Sequence, residues 1–195
     1  MTRAFVLGCA FVLVAGAAAQ AQEAVPESQL REARAGPVRG RGFLIGYSIG
    51  MGHVASDPCG DCWYRPRSVL DLSHAIHVGW MVGGRLAVMV EAAGVGTDTA
   101  DHSLVALAAQ WWPSAMGRSW VKGGIGVGSY VLGDTSNAGS APTYATVLGE
   151  GGLEVIRHRR FTTDLQIRGA ATKRPDRWGT SVSGSVGFNW YQGWR

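Results

Sequence analysis

From Gly42 onward the chain alternates between apolar and small residues. In RGFLIGYSIGMGH, Phe43, Ile45, Tyr47, Ile49 and Met51 share one face, while Gly42, Gly46, Ser48, Gly50 and Gly52 take the other; Leu44 is the exception. A period of two belongs to a strand, whose successive side chains point to opposite faces. The pattern returns in SVLDLSHAIHVGWMV, where Leu70, Leu72, Ile76, Val78 and Trp80 oppose Asp71, Ser73, Ala75, His77 and Gly79. In RLAVMVEAAG, Leu86, Val88 and Val90 oppose Ala87, Met89 and Glu91; in FTTDLQIRGA, Phe161, Leu165 and Ile167 oppose Thr162, Asp164, Gln166 and Arg168. In GTSVSGSVGFNWY, Val182, Val186, Phe188 and Trp190 oppose Ser181, Ser183, Ser185, Gly187 and Asn189. Less regular segments at 103–112, 119–131 and 143–156 bring the expectation to about eight strands of roughly ten or more residues.

The character of the polar faces decides which side is inside. They carry Asp71, Glu91, Lys122, Glu150, Glu154, Asp164 and Arg168, of mixed sign and set among glycines. A soluble sandwich would show these charges to water. Small residues beside opposite charges suit instead the crowded interior of a narrow barrel, with the apolar faces turned to lipid. A tilted membrane strand needs ~9–11 residues, which these segments supply. The joins at Gly83–Gly84, Pro113–Arg118 and Arg157–Arg160 are short, and those at 53–67, 95–102, 132–142 and 172–178 mostly longer. That asymmetry is the one outer-membrane barrels show. Phe43, Trp80, Trp111, Trp112, Trp120, Phe161, Trp190 and Tyr191 fall at strand ends beside the short joins, and are expected to form an aromatic girdle at one membrane interface. The lumen charges should pair, so that Lys122 and Arg168 each contact at least one of the five acids and no open pore runs through.

Composition adds little chemistry but sharpens the setting. Glycine is 29 of 195 residues, about twice the usual ~7 %, which disfavours a helical domain. The chain opens with Arg3, an apolar run from Ala4 to about Ala19, and Ala19-Gln20-Ala21, the marks of a cleaved export signal over 1–21. Residues 22–40, polar and proline-flanked, are read as a flexible periplasmic leader, and 41–195 as the barrel. Lys+Arg number 18 and Asp+Glu 14; without Arg3 the balance is 17 − 14 = +3. That is too weak and too evenly spread for nucleic-acid binding.

RGFLIGYSIGMG, QWWPSAMGRSWVKGGIGVGSY and the terminal SVSGSVGFNWY resemble small bacterial outer-membrane β-barrels of the broad OmpA/OmpW-like type, over roughly residues 41–191. The resemblance implies an eight-stranded antiparallel up-and-down barrel in the outer membrane of a Gram-negative bacterium. Its partners would be outer-membrane lipids, periplasmic chaperones and the barrel-assembly machinery during biogenesis, and an unknown extracellular ligand. The family pattern ends on a closing aromatic, whereas this chain continues QGWR past Tyr191. Members range from structural proteins to adhesins and enzymes, so no one activity is implied.

Three features invite chemistry. Cys59 and Cys62 fall in the longest loop, in an oxidising compartment. A disulfide staple is favoured there over a zinc site, for which only His53 and His102 lie nearby, and over a redox centre, which needs a helix start. The staple would present Trp63, Tyr64, Arg65 and Arg67 as an external contact surface. GGIGVGSY lacks the spacing of a nucleotide loop and reads as strand glycines. Asp71, Ser73 and His77 share the inward face, but Ser73 and His77 are ~13 Å apart along one strand at ~3.3 Å per residue, too far for a nucleophile–base pair. His74 on the lipid side is expected near an interface. The expected function is structural or binding, with no catalytic residue, metal or cofactor; a lipid-modifying enzyme and a minor solute channel are the alternatives.

Overall fold

The computed structural model describes residues 39–56, 71–96, 100–115, 117–132, 142–158, 160–175 and 178–192. Eight strands follow one another in sequence: β1 (Gly42–Ser56), β2 (Asp71–Gly83), β3 (Leu86–Gly96), β4 (Ala100–Trp111), β5 (Ser119–Leu132), β6 (Thr143–Arg157), β7 (Phe161–Lys173) and β8 (Trp178–Tyr191). Each pairs antiparallel with its neighbours, and β8 pairs with β1 from Leu44↔Tyr191 to Ser56↔Gly179, closing the barrel.

The register fixes the shape. Paired residues traced once around the wall run Gly46, His77, Glu91, Ala106, Gly126, Thr146, Thr172, Gly179 and back to Ser56. From Gly46 to Ser56 is a stagger of ten residues. For eight strands at the usual spacings this sets a tilt of about 40°, within the range of closed barrels.

Burial then follows parity. On β2 every odd residue from Asp71 to His77 is buried, and every even one from Leu72 to Trp80 is exposed. Ile49, Ile76, Val90, Leu107, Ile125, Val127, Leu165, Ile167, Val182 and Phe188 are among the exposed apolar residues of the outer wall. The interior holds three small apolar clusters, the largest being Leu44, Met81, Ala87, Met89, Ala108, Trp112, Trp120 and Tyr191. Leu44, the exception to its strand's pattern, is therefore interior packing.

Two expectations about connections and aromatics are corrected. The 95–102 segment is mostly strand, because Val95 and His102 pair across β3 and β4, both buried. Only 97–99 separate those strands, fewer residues than the 112–118 connection at the other end. Of the expected girdle, Trp80, Trp111, Phe161 and Trp190 are exposed on the outer wall and Phe43 is partly so. Trp112, Trp120 and Tyr191 are buried inside the barrel. Each stands next to an outward residue of its strand or strand end (Trp111, Val121, Trp190), so the pleat turns it inward.

Candidate functional site

The interior carries the polar chemistry, in layers. The first is the midsection. Glu91 from β3, Lys122 from β5, Glu150 from β6 and Arg168 from β7 form a closed ring of alternating charge. Lys122 Nζ hydrogen-bonds Glu91 and lies 2.6 Å from Glu150; Arg168 Nε hydrogen-bonds Glu150, and its Nη2 lies 3.3 Å from Glu91. Arg168 Nη2 also donates to Ser48 Oγ on β1 at 3.3 Å. These side chains are 0–3 % exposed. Register explains the proximity of Lys122 to Glu150 and of Glu150 to Arg168, which are direct cross-strand partners. Glu91 reaches Lys122 over the inward positions Ala106, Gly124 and Gly126, which have no side chain large enough to intervene.

The second layer is the mouth beside the short connections. Arg39, just ahead of β1, is 1 % exposed and pairs with Glu154 of β6. Its Nη2 donates to the carbonyls of Ala115 and Gly117 at 2.9 Å, and its guanidinium lies 4.6 Å from the Trp112 ring. Glu154 also accepts from Trp112 Nε1 at 2.9 Å and from Arg157 Nη2 at 2.6 Å. Neither arginine was singled out from the sequence. Arg39 fell in the segment read as a leader, and it belongs instead to the barrel's packing. Arg157 turns inward because a register shift between Glu154 and Ile156 leaves Val155 and Ile156 both exposed; such a bulge re-aims the following side chain.

Between these layers Asp164 accepts from Trp120 Nε1 at 3.2 Å and Asn189 Nδ2 at 2.6 Å, and Asn189 Oδ1 meets His77 Nε2 at 2.8 Å. His77 is thus engaged with Asn189 and not with Ser73, whose buried hydroxyl has no hydrogen-bond partner among the described residues. Asp71 is buried near the opposite end. The seven lumen charges therefore fall into four separate settings: the midsection ring, Glu154 at the mouth, Asp164 between them, and Asp71.

His102 departs from its expected loop position. It lies inside on β4, with Nδ1 2.8 Å from Ser181 Oγ and Nε2 2.7 Å from Thr172 Oγ1, and Tyr130 packs edge-on at 5.7 Å. Its burial and full hydrogen bonding mark a structural residue. Among the described residues no three His, Cys, Asp or Glu side chains come together as a metal-holding group. Cys59, Cys62, Trp63, Tyr64, Arg65 and Arg67 lie outside the described residues.

No family model matches the chain, and no curated protein matches it. Solved structures do. Neisserial surface protein A superimposes with a TM-score of 0.56 at 13 % identity, covering 76 % of this chain and 96 % of that one. The N-terminal β-barrel domain of Pseudomonas aeruginosa OprF gives 0.50 at 13 % identity, covering 77 % and 99 %. The fold is that of the small eight-stranded outer-membrane barrels.

Proposed function

We propose that the protein is an integral outer-membrane barrel with a structural or binding role exerted through its outward loops, and that it is neither an enzyme nor an open channel. The turns at 84–85, 112–118 and 158–160 would face the periplasm. Outer-membrane lipids would contact the wall, and periplasmic chaperones and the barrel-assembly machinery would act during biogenesis. The external contact surface would centre on Trp63, Tyr64, Arg65 and Arg67, outside the described residues. The observation that carries this reading is the barrel's inverted polarity. Its wall is apolar outside and its interior is charged, with a midsection ring 0–3 % exposed. A water-filled path through that level would leave some of the ring's surface accessible. Exposed apolar area on this scale belongs in lipid, since soluble monomers rarely show contiguous patches above a few hundred Å².

The test is reconstitution. The folded barrel should require detergent for extraction, shift its gel mobility on heating, and leave a planar bilayer without steady conductance. Steady unitary currents would favour the channel. Changed lipid A mass on co-expression would favour the enzyme, and extraction into buffer would remove the membrane reading.

A further inference from the structure

The short-turn end of the barrel carries a charge imbalance that the interior network does not use. Segments 38–41, 84–85, 112–118, 158–160 and 192–195 contain seven arginines and no Asp or Glu. Glu154, the acid of the mouth, is already held by Arg39 and Arg157. An anion arriving at this end therefore meets cations and no exposed acid of these segments.

One place at this end is concave. A cleft of about 230 Å³ opens where β7 begins and β8 ends, lined by Arg160, Trp190, Tyr191 and Gln192. Backbone pairing fixes its frame: Tyr191 N donates to the Arg160 carbonyl at 2.8 Å and Gln192 N to the Phe43 carbonyl at 2.9 Å. Trp190 stands outward, 46 % exposed, and is the apolar member of the set, while Tyr191 is buried. Arg160 and Gln192 are exposed, and neither side chain has a hydrogen-bond or ion-pair partner among the described residues. Arg41, also exposed and unpaired among them, lies two residues ahead of Phe43 and adds a second cation beside the cleft.

We propose that this cleft binds the end of a peptide chain through its free carboxylate. A guanidinium fork matches a carboxylate with two parallel hydrogen bonds, which Arg160 is free to make. The Gln192 amide carries both donors and an acceptor, the complement of a peptide group. Trp190 offers its ring to a small aliphatic side chain. A phosphodiester headgroup presents acceptors only and leaves the Gln192 carbonyl unmatched; inorganic phosphate leaves the indole unused. The volume is below the ~300–1,000 Å³ of pockets for drug-sized ligands, enough for a chain end. This site is separate from the outer loops. It takes from the membrane reading only that the peptide would come from the periplasm.

The experiment is an NMR titration of the full-length mature protein in a non-ionic maltoside detergent, followed at the Gln192 backbone amide. The probes are acetyl-alanyl-alanine, the same dipeptide with its C-terminus amidated, and dihexanoylphosphatidylglycerol. The acid should shift the signal saturably, and the amidated form should bind at least tenfold more weakly. Arg160→Gln should weaken the acid at least fivefold, and Arg160→Lys, which keeps the charge and loses the fork, at least threefold. Trp190→Leu and Arg41→Gln should each cost at least twofold, while Arg118→Gln at the β4–β5 turn changes nothing. Heat-modifiable mobility checks folding of every variant. Absence of a saturable shift, equal binding of acid and amide, a loss in Arg118→Gln as large as in Arg160→Gln, or tighter binding of the phospholipid would each overturn the proposal. Extraction of the wild type into buffer without detergent would sink the membrane reading and leave the peptide titration to decide the cleft by itself.

Discussion

Lys122 and Glu150 face each other directly across β5 and β6, ammonium 2.6 Å from carboxylate, both closed off from solvent. The same ammonium serves Glu91, so Lys122 and Arg168 together balance two acids that would otherwise repel each other in a dry space. Lys122→Met should therefore cost about 3–5 kcal/mol, the usual result of removing one partner from a buried pair. A urea titration of folded against unfolded mobility measures it. The double variant Lys122→Met, Glu91→Gln should recover part of the loss, because it leaves one acid facing one cation, Glu150 with Arg168. Unfolding of the single variant at the wild-type urea concentration would contradict the account.

At the mouth, Arg39 shares Glu154 with Arg157. Loss of Arg39 leaves the acid one cation, so Arg39→Ala should destabilise less than the lysine change, by roughly 1.5–3 kcal/mol, the range for a charged hydrogen bond. Its local signature is sharper. The Trp112 indole N–H, buried and bonded to Glu154, should exchange with solvent at least tenfold faster by NMR in the variant.

Two glycines make a paired test of interior against wall. A Cβ on Gly126 would come within 2.0 Å of the Val105 carbonyl and 2.5 Å of Ala106 Cα, both backbone atoms, whereas a Cβ on Gly184 meets nothing within 4 Å. Gly126→Ala should lower the yield of heat-modifiable barrel severalfold. Gly184→Val should fold at least as well as wild type, since it replaces a flexible residue by a strand former in open space.

The loop staple remains a proposal on chemistry alone. Alkylation of unreduced, unfolded mature protein should label neither Cys59 nor Cys62. Labelling of both would end the staple and return attention to metal binding.

The strands and their inside and outside were legible because a period of two, sustained over 11–15 residues, has one geometric meaning. The same rule could have separated Trp111 from Trp112 and Trp190 from Tyr191, since outside a bulge adjacent strand residues point to opposite faces. Position near a strand end obscured it. Arg157 was illegible for a different reason: a bulge breaks the count, and no residue type marks one. Arg39 precedes the alternation altogether, and its role comes from Glu154, 115 residues away.

The seam between β1 and β8 joins the first strand to the last, so one edge of β1 has no partner until the last strand is present. The inward residues along the middle of that join are slim: Gly46, Ser48, Gly50 and Gly52 on one side, Ser181, Ser183, Ser185 and Gly187 on the other, with the larger Leu44, Asn189 and Tyr191 near one end and Val54 near the other. The four ions of the midsection ring belong to β3, β5, β6 and β7. At midsection height, a zip with such narrow teeth can be drawn shut over a charge ring already arranged.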